Sequence, residues 1–337
     1  MTLPTQMTAI TIARPGGPEV LQPQAVPVPA CGPDEVLVQI AAAGVNGPDL
    51  AQRAGHYDPP PGASPLLGLE VAGVVVARGA AVTDWAPGDR VMALVNGGGY
   101  AEYVAVPAGQ VLPMPTGWSF AEAAALPETW FTITQSLVMR AGLASGMVVL
   151  VHGASGGIGG AAIQIATALG ARAIGIVSSP EKAEYASRLG AFATIDRTSE
   201  DIVERVLTLT DGHGADRIID VVGGPMAEVN IAAAAMGGHI IQVSTLGGSS
   251  ATLSLRALMG KQLTLSGSTL RPHPPATKAA IATRIRTDLL PALADPRWVR
   301  PEVSQFPLAD AAMAHSTLEA RTTHGKLVLL TPFGLQR

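Results

Sequence analysis

The 337-residue sequence predicts an α/β protein with two domains, a β-barrel or β-sandwich region followed by a doubly wound parallel sheet. Three observations predict this fold class. The chain is longer than one ordinary hydrophobic core requires, so two domains are expected. Between residues 8 and 115, short β-like runs alternate with Gly- and Pro-rich turns. From about residue 147 to residue 243, apolar β-branched runs alternate with helical stretches, which is typical of a parallel sheet covered by helices.

The first region is built from β-like runs, namely TAITIA, EVLVQIAAAGV, EVAGVVVARG, DRVMALV and AEYVAV. The segments between them, such as PPPGASP and NGGGY, have the residues of turns and loops. A helix is expected to begin after Ser119, because Ser119 and Glu122 have the spacing of a capping box. The pattern of the sequence changes at this helix.

The second region alternates strands and helices. The predicted strands are Met147–His152, Arg172–Val177, Ala193–Ile195, Arg217–Val222 and His239–Val243, and the predicted helices are Gly159–Leu169, Lys182–Leu189 and stretches near 199–209 and 225–236. A tail follows with a helix over 276–294, strand-like VSQFPL, a helix over 308–320 and the strand KLVLL. We expect the tail to rejoin the first domain, so that residues 1–125 with 268–337 form one domain and 126–267 the other.

The composition excludes several classes of protein. The net charge is −4 and no long basic run occurs, which argues against nucleic acid as the main partner and against an anionic membrane surface. The single cysteine, Cys31, excludes an intramolecular disulfide framework and favours a reducing compartment. The first residues lack the features of a signal peptide, and apolar stretches such as 143–151 are too short to span a bilayer. We therefore expect a soluble, cytoplasmic protein.

A glycine-rich turn between a strand and a helix predicts dinucleotide binding. In VVLVHGASGGIGGAAIQIATALGA the turn has the form Ala154-x-Gly156-x-x-Gly159, a Rossmann fingerprint whose first glycine is replaced by alanine. Gly156 lets the backbone approach the pyrophosphate, Gly159 lets the helix pack on the strand, and the helix N-terminus attracts phosphate. A tight turn without a ligand is the alternative, but the flanking strand and helix favour binding. The predicted binding residues are Ala154, Ser155, Gly156, Gly157, Ile158 and Gly159.

The end of the second Rossmann strand favours NADPH over NADH. An NAD-binding domain usually carries a carboxylate there, which accepts hydrogen bonds from the ribose 2′-hydroxyl, whereas this chain has Val177. Hydroxyl and ammonium groups follow in Ser178, Ser179 and Lys182, and Arg197 at the end of the third strand would close the same pocket around a 2′-phosphate. Taken one at a time, Ser178 is equally well interpreted as a helix N-cap, and Arg197 as a charge exposed to solvent.

Seven stretches between residues 8 and 330 carry a family resemblance, namely RPGGPEVL, VLVQIAAAGVNGPDLAQRAGHYDPPPGASPLLGLEVAGVV, APGDRV, GGGYAEYV, AALPETWFT, the glycine turn and HGKLVL. With them the chain resembles the medium-chain dehydrogenase/reductase superfamily, in its zinc-free quinone oxidoreductase (zeta-crystallin-like) branch, and is similar to NADPH:quinone reductases of the stress-response type. The resemblance implies a chaperonin-10-like β-barrel catalytic domain enclosing a Rossmann domain. It also implies a homodimer formed through the Rossmann sheet edge, with KQLTLSG, residues 261–267, as the pairing strand.

No metal is expected. Zinc alcohol dehydrogenases of the same superfamily carry a Gly-His-Glu motif whose histidine binds catalytic zinc, and this chain has Gly68-Leu69-Glu70 instead. Their structural zinc needs four cysteines, and the histidines here show no paired ligand spacing. Glu70 is interpreted as a structural acid that holds backbone or Arg groups.

The candidate catalytic residues are Tyr57 and Asn46. The Tyr57 hydroxyl would hydrogen-bond a substrate oxygen or donate a proton to it, although a tyrosine packed in a loop is nearly as good an interpretation. Asn46 is equally well a turn residue, and Trp130 and Leu246 are candidate pocket residues or plain packing. The resemblance places Thr132 near the nicotinamide ribose and two further segments around the nicotinamide, with Ser244, Leu246, Thr269, Leu270 and Arg271 as their predicted cofactor residues.

Three functions remain open from sequence. The leading one is hydride transfer from NADPH to a quinone without zinc, which needs little acid catalysis because the hydroquinone anion is stabilised by its own ring. The second is reduction of an enoyl or alkenal double bond, which protonates carbon and so depends on an acid such as Tyr57. The third is a low-turnover NADPH-binding protein with a crystallin-like or RNA-binding role. The electron acceptor, and whether the protein is a dimer or a tetramer, stay undecided.

Overall fold

The structure, a computed structural model, describes residues 3–295, 298–321 and 323–337. The chain divides into two compact units, one made of Met1–Phe131 with Arg271–Arg337 and the other of Thr132–Leu270. The sequence places the corresponding boundaries near 125 and 268. The first crossing between the units lies inside a helix, Pro127–Ile133, rather than in a loop, and a π-helix over Thr134–Arg140 continues from it.

The unit built from both chain ends is rich in β-strands. Its elements are β1 (Gln6–Ile12), β2 (Leu21–Pro27), β3 (Glu35–Val45), α1 (Gly47–Arg53), β4 (Glu70–Arg78), β5 (Arg90–Leu94), β6 (Tyr103–Pro107), β7 (Val111–Pro113), α2 (Phe120–Ala124) and α3 (Pro127–Ile133), followed after the second unit by α9 (Pro275–Asp288), β14 (Val303–Pro307), α10 (Ala311–Ala320) and β15 (Lys326–Leu330). Among the described residues, seven of these strands form one sheet in the order β14-β15-β3-β4-β5-β7, with β6 also on β3. The strand near the C-terminus, β15, pairs antiparallel with β3, and Leu327 lies opposite Val45.

Strand β2 has no counterpart in the sequence prediction. It contains Pro23 and Pro27 and pairs only with β1 within the described part of the chain, Pro27 opposite Gln6. Proline lacks an N–H to donate, so sequence rules demote such a run to an edge strand or a loop. The two-stranded sheet tolerates these prolines because β2 is hydrogen-bonded along one side only.

The second unit, all of whose residues are described, contains one parallel sheet with the strand order β10-β9-β8-β11-β12-β13. Its elements are β8 (Val148–His152), α4 (Gly157–Ala168), β9 (Arg172–Val177), α5 (Pro180–Arg188), β10 (Ala193–Asp196), α6 (Ile202–Leu209), β11 (Ala215–Asp220), α7 (Met226–Ala233), β12 (Ala234–Gln242), α8 (Leu255–Gly260) and β13 (Thr264–Gly267). The apolar faces of the central strands are buried in one core with side chains from the helices. The doubly wound parallel sheet predicted from the alternating pattern is confirmed.

One predicted helix is too long. The stretch near 225–236 is alanine-rich and was expected to be helical throughout, but α7 ends at Ala233 and Ala234–Gln242 is strand β12. The ammonium of Lys261 binds this helix end, since it donates to the carbonyl oxygens of Ile231, Ala232 and Ala234 at 3.0, 2.6 and 2.8 Å. The last carbonyl groups of a helix have no hydrogen-bond partner within the helix, and Lys261 supplies one here. Because Lys261 is distant in sequence, a short window of residues does not show this interaction.

Within the part of the chain that the structure describes, no helix is both long enough and apolar enough to cross a membrane.

Candidate active site

The glycine-rich turn lies at the carboxyl end of β8, the first strand of the parallel sheet. The direction of strand order reverses between β8 and β11, and ligands of open α/β sheets bind at such a point. Gly153 follows the strand with φ +64°, in the left-handed region that glycine adopts without strain. Gly156 is the N-cap of α4, and no side chain caps this helix end. The first N–H groups of α4 are therefore left for a ligand.

Gly159 is required by a close approach of two backbone segments. A Cβ atom at this position would lie 2.2 Å from the carbonyl oxygen of Gly153, far inside van der Waals contact. Ala154, at the first position of the fingerprint, is fully buried, and its N–H donates to the carbonyl of Ile176 at 3.1 Å. The turn is thus fixed against the neighbouring strand, and its residues fit the predicted binding of a pyrophosphate.

Of the four residues predicted to hold a 2′-phosphate, Ser178, Ser179 and Lys182 are in contact, and Arg197 follows the neighbouring strand. The ammonium of Lys182 is 3.3 Å from the hydroxyl of Ser178, directly after β9. The N–H of Arg197 donates to the carbonyl of Val177 at 3.1 Å, so the ends of β9 and β10 are adjacent. Ser179 caps α5, accepting from the Lys182 N–H at 3.4 Å, and its hydroxyl also lowers the pKa of Glu181 by hydrogen bonding. Ser178, Lys182 and the exposed Arg197 side chain are therefore the stronger candidates.

The remaining predicted cofactor residues differ in burial and in their hydrogen bonds. Thr132 is buried, and its carbonyl accepts from Ser136 Oγ at 2.6 Å. Leu246 is 56% exposed in the loop after β12, where its N–H donates to the carbonyl of Val221 at 3.2 Å. The carbonyl of Ser244 accepts from Gln242 at 2.5 Å, while Thr269 is exposed and Leu270 buried in the loop after β13. Both loops follow the carboxyl ends of sheet strands, as the cofactor prediction requires.

In the other unit, Asn46 is part of a buried polar cluster. Its Nδ2 donates to Glu70 Oε1 at 2.8 Å, and its Oδ1 accepts from the Lys326 ammonium at 2.5 Å. Lys326 is also 2.6 Å from Glu70 Oε1, and both side chains are buried. Asn46 is the N-cap of α1 with extended φ of −132°, so it is no left-handed turn residue. With its amide bound on both sides, Asn46 is better suited to holding the cluster than to touching a substrate.

Glu70 is a structural acid that holds a backbone group, as expected, but its cation is a lysine. Instead of an arginine it binds Lys326, and its second oxygen accepts the backbone N–H of Glu128 at 2.9 Å. Next to it, buried Asp49 accepts the N–H groups of Asn46 and Gly68 at 2.8 and 3.0 Å. Burial raises the pKa of Asp49 to about 6, against the lowering effect of those hydrogen bonds.

Tyr57 lies half-buried beside Arg271. The guanidinium carbon of Arg271 is 5.3 Å from the centre of the Tyr57 ring. Arg271 donates to Gln52 Oε1 at 2.8 Å and to the carbonyl of Asn96 at 2.7 and 3.1 Å. Burial raises the pKa of Tyr57, with a further contribution from Glu128, while Arg271 acts in the opposite direction. Arg271 was predicted to surround the nicotinamide, yet three of its donor groups are already bound inside this unit.

Sequence reasoning missed two ionisable residues, one that interacts with Tyr57 and one that is hydrogen-bonded to Arg271. Burial and the neighbouring Glu70 raise the pKa of the Glu128 carboxyl to about 8. Lys278 is fully buried, donates to the carbonyl of Arg271 at 2.8 Å and to the side chain of Asn96, and has its pKa lowered by burial to about 8. The only sequence signal for Glu128 is an acid in the apolar stretch AALPETWFT. Lys278 stands near the start of the helix Pro275–Asp288, and the sequence gives no signal for it.

The other predictions concern packing and metals. Trp130 is buried and packs edge-on against Trp298, with ring centres 5.9 Å apart, which supports the packing interpretation. Leu69, at the position of the zinc-binding histidine of alcohol dehydrogenases, is a buried apolar side chain. Over residues 3–295, 298–321 and 323–337, no three His, Cys, Asp or Glu side chains are grouped so that they could hold a metal ion.

Comparison with known families and proteins gives matches over almost the whole chain. Residues 32–116 match the family described as "Alcohol dehydrogenase GroES-like domain", and residues 157–284 match "Zinc-binding dehydrogenase". The GroES-like match confirms the chaperonin-10-like domain expected from sequence. A quinone oxidoreductase of Pseudomonas aeruginosa is 38% identical over 325 residues, which cover 95% of this chain and 98% of that protein.

Solved structures are also similar to this chain over almost its whole length. The Escherichia coli quinone oxidoreductase complexed with NADPH is similar with a TM-score of 0.81 and 29% identity, covering 96% of this chain and 99% of that one. A structure described as an NAD-dependent alcohol dehydrogenase is similar with a TM-score of 0.84 and 35% identity, over 96% and 99% of the two chains. The comparisons thus contain both nicotinamide cofactors, and the choice between them depends on the residues after β9.

Proposed function

Since this chain belongs to the medium-chain dehydrogenase/reductase family of oxidoreductases, we propose that it is an NADPH-dependent quinone oxidoreductase that works without zinc. The observation that carries the cofactor is the pair Ser178 and Lys182, in contact at 3.3 Å where an NAD-binding domain usually has a carboxylate. The full-length likeness to quinone oxidoreductases supports the substrate class.

The parallel-sheet unit binds the cofactor. The uncapped N-terminus of α4 and the backbone at Gly156 hold the pyrophosphate, because N–H groups and the helix dipole attract negative charge. Lys182, Ser178 and Arg197 bind the 2′-phosphate, and Val177 presents no carboxylate that would repel it. When bound, the reduced nicotinamide supplies the hydride. Of this unit's other predicted residues, Thr132, Ser244, Leu246, Thr269 and Leu270 are proposed to shape the nicotinamide end.

The β-rich unit acts on the substrate through Tyr57. Its phenol donates a hydrogen bond to a substrate oxygen, and Arg271 holds the ring and its orientation through the stacked guanidinium. The Arg271 side chain is thus a positioning group in this proposal and not a cofactor ligand. Asn46 likewise positions Glu70 and Lys326. A quinone gains little from a stronger acid, because its reduced anion is stabilised by the aromatic ring.

A second candidate function, reduction of an enoyl or alkenal double bond, is favoured by one observation. Protonating carbon after hydride addition needs an acid that is still protonated at neutral pH. The Glu128 carboxyl has this property, since its pKa is raised to about 8, and it interacts electrostatically with Tyr57. Tyr57 and Glu128 together would therefore serve either reaction, but only the second would depend on them strictly.

Steady-state oxidation of NADPH and NADH with 1,2-naphthoquinone and trans-2-hexenal tests both candidates. We expect fast quinone turnover with NADPH and slow turnover with NADH. Fast turnover of the enal with slow turnover of the quinone would replace the first candidate with the second. Turnover of neither substrate, combined with tight NADPH binding and a gel shift of single-stranded RNA, would support the low-turnover RNA-binding role and contradict both.

We further propose a homodimer formed through the edge of the parallel sheet and located in the cytoplasm. Strand β13 is bonded to β12 alone among its unit's strands and exposes Leu265 at 47%. An edge strand, whose outer side is unpaired, is a template for pairing with a second copy when it also exposes an apolar side chain. Sedimentation should give twice the 34.4 kDa chain mass. Leu265→Lys should give a monomer, whereas Met313→Lys, at an exposed methionine of the other unit, should leave the mass unchanged.

A further inference from the structure

Three buried polar side chains connect the carboxyl ends of the two central strands of the parallel sheet. His152 is the last residue of β8 and Asp220 is the last residue of β11. Asn230 lies on α7, and its side-chain amide joins the other two side chains. His152 Nε2 is 2.7 Å from Asn230 Oδ1, and Asn230 Nδ2 donates to Asp220 Oδ2 at 2.8 Å. All three side chains are at most 1% exposed, so water does not compete for these hydrogen bonds.

The direction of each hydrogen bond follows from the chemistry of the groups. Asp220 Oδ1 accepts two backbone N–H groups, from Val222 at 2.6 Å and from Gly223 at 2.9 Å, which is the pattern of an ionised carboxylate. The amide nitrogen of Asn230 faces that carboxylate, so its oxygen faces His152 and must accept. His152 is therefore the Nε2–H donor of a neutral imidazole, which agrees with the lowering of its pKa by burial.

The chain of hydrogen bonds ends on two loops that need special backbone conformations. Gly153, with φ +64°, comes directly after His152 and begins the glycine-rich turn. Gly223 and Gly224, with φ +68° and +46°, follow Asp220. The segment after Asp220 in turn holds the loop after β12, because the N–H of Gly247 donates to the carbonyl of Val222 at 2.8 Å. One polar chain thus links the pyrophosphate turn to the segment assigned to the nicotinamide end.

We propose that His152, Asn230 and Asp220 are positioning residues for the dinucleotide, holding the pyrophosphate turn and the loop after β12 at a fixed separation. A ligand that spans both loops benefits from this, since less ordering is left to occur on binding. A ligand that reaches the 2′-phosphate pocket and the pyrophosphate turn but not the loop after β12 does not. The inference rests on the proposed dinucleotide binding and adds three residues that contact no cofactor atom themselves.

Dissociation constants for NADPH and for 2′,5′-ADP, measured by fluorescence titration, test the proposal. 2′,5′-ADP carries the 2′-phosphate but lacks both the second phosphate of the bridge and the nicotinamide. His152→Phe keeps a ring but removes the N–H donor, and we expect NADPH binding about tenfold weaker with 2′,5′-ADP binding unchanged within about twofold. His152→Gln restores an amide donor near the Nε2 position and should restore NADPH binding.

The control variant removes buried hydrogen bonds at the other end of the strands. Thr210 Oγ1 donates to Val206 at 2.7 Å and accepts from Gly214 at 2.9 Å in the loop before β11. Thr210→Val should lower the melting temperature and change neither dissociation constant. If His152→Phe does not fold, Asn230→Ser, which leaves room for a bridging water, should show the same selective loss.

Two results would overturn the proposal. One is unchanged NADPH affinity in His152→Phe. The other is an equal loss for both ligands, which indicates general loosening of the unit. Because the readout is binding, a wild-type protein that binds NADPH but reduces no quinone contradicts only the proposed substrate.

Discussion

The Arg271 guanidinium stacks on the Tyr57 ring, 5.3 Å from its centre, while its N–H groups hold Gln52 and the carbonyl of Asn96. One side chain therefore connects the Tyr57 loop to the helix α1 and to the segment after β5. Such a cation also opposes the rise in the pKa of Tyr57 that burial causes. The pKa of Tyr57 is nevertheless raised overall, so the phenol is protonated at neutral pH, while Arg271 holds it in place. Both properties suit a hydrogen-bond donor to a substrate oxygen.

The first prediction concerns this pair. Arg271→Leu removes the stacked cation and three hydrogen bonds, so we expect a loss of about 2–3 kcal/mol in the free energy of unfolding and about tenfold in kcat for the alkenal. Arg271→Lys keeps the charge but replaces the forked guanidinium with a single ammonium. Its losses of stability and of kcat should therefore be smaller than those of Arg271→Leu. Tyr57→Phe should keep the stability while reducing alkenal turnover far more than quinone turnover. Urea unfolding and kcat with both substrates measure these effects, and a normal kcat for the alkenal in Arg271→Leu would contradict the positioning role.

The second prediction concerns the buried ion pair Glu70–Lys326. Lys326→Met leaves the Glu70 carboxylate buried without its cation, which should cost about 3–5 kcal/mol. The double variant Glu70→Gln with Lys326→Met removes both charges and should regain most of that loss, because the cost lies in the unpaired charge. Urea unfolding of the two single variants and the double variant gives the coupling energy. Additive losses would show that the two groups do not interact as the 2.6 Å distance implies.

The sequence predicted the parallel sheet and the glycine turn well because their signals are local. Alternation of strands and helices, and glycines at fixed spacing, are visible in a short window. The predicted meeting of Ser178, Lys182 and Arg197 depended on one further rule, that parallel strands end at a common edge. The structure brings Ser178 and Lys182 into contact and places the backbone of Arg197 beside Val177. What they bind stays a proposal.

The substrate side was less predictable because its residues come from distant parts of the chain. Lys326 reaches Asn46 across 280 positions, and Arg271 reaches Gln52 across 219. Nothing in the local sequence around Asn46 indicates that its amide is bound by two ionic groups. Glu128 and Lys278 were missed for the same reason, since their pKa values are shifted only in the folded unit, by burial and, for Glu128, also by the neighbouring Glu70.

The third prediction concerns pH. Because the pKa of Glu128 is raised from its ordinary 4.5 to about 8, its contribution to stability is complete below pH 4.5 and is lost as the pH rises through 8. Glu128→Gln mimics the protonated form at every pH. It should match the wild type near pH 4.5 and be more stable by roughly 1–3 kcal/mol at pH 9. Lys278 titrates in the same range, so the difference between the two proteins is the quantity to measure, by thermal or urea unfolding at each pH. A difference that does not grow with pH would contradict the raised pKa.

The fourth prediction concerns the choice of cofactor. Lys182→Ala with Arg197→Ala removes two cations from the proposed 2′-phosphate pocket. We expect KM for NADPH to rise about 10- to 100-fold and KM for NADH to change by less than about threefold, since only the phosphate needs those charges. The wild-type KM for NADPH should also rise with ionic strength. An unchanged NADPH/NADH preference in the double variant would remove the assignment of this pocket.

The fifth prediction compares two adjacent glycines of α4. A methyl group on Gly159 would lie 2.2 Å from the backbone oxygen of Gly153, which cannot move without shifting the turn. On Gly160 it would meet only the Cδ1 atom of Leu189, at 3.0 Å, and that side-chain end can rotate away. Gly159→Ala should therefore cost more than about 2 kcal/mol and abolish NADPH binding. Gly160→Ala should keep binding and stay within about 1 kcal/mol of the wild type, because the better helix propensity of alanine offsets the adjustment of Leu189. Urea unfolding and NADPH titration of the two variants decide the matter, and normal binding in Gly159→Ala would show that the turn does not hold the pyrophosphate through this close approach.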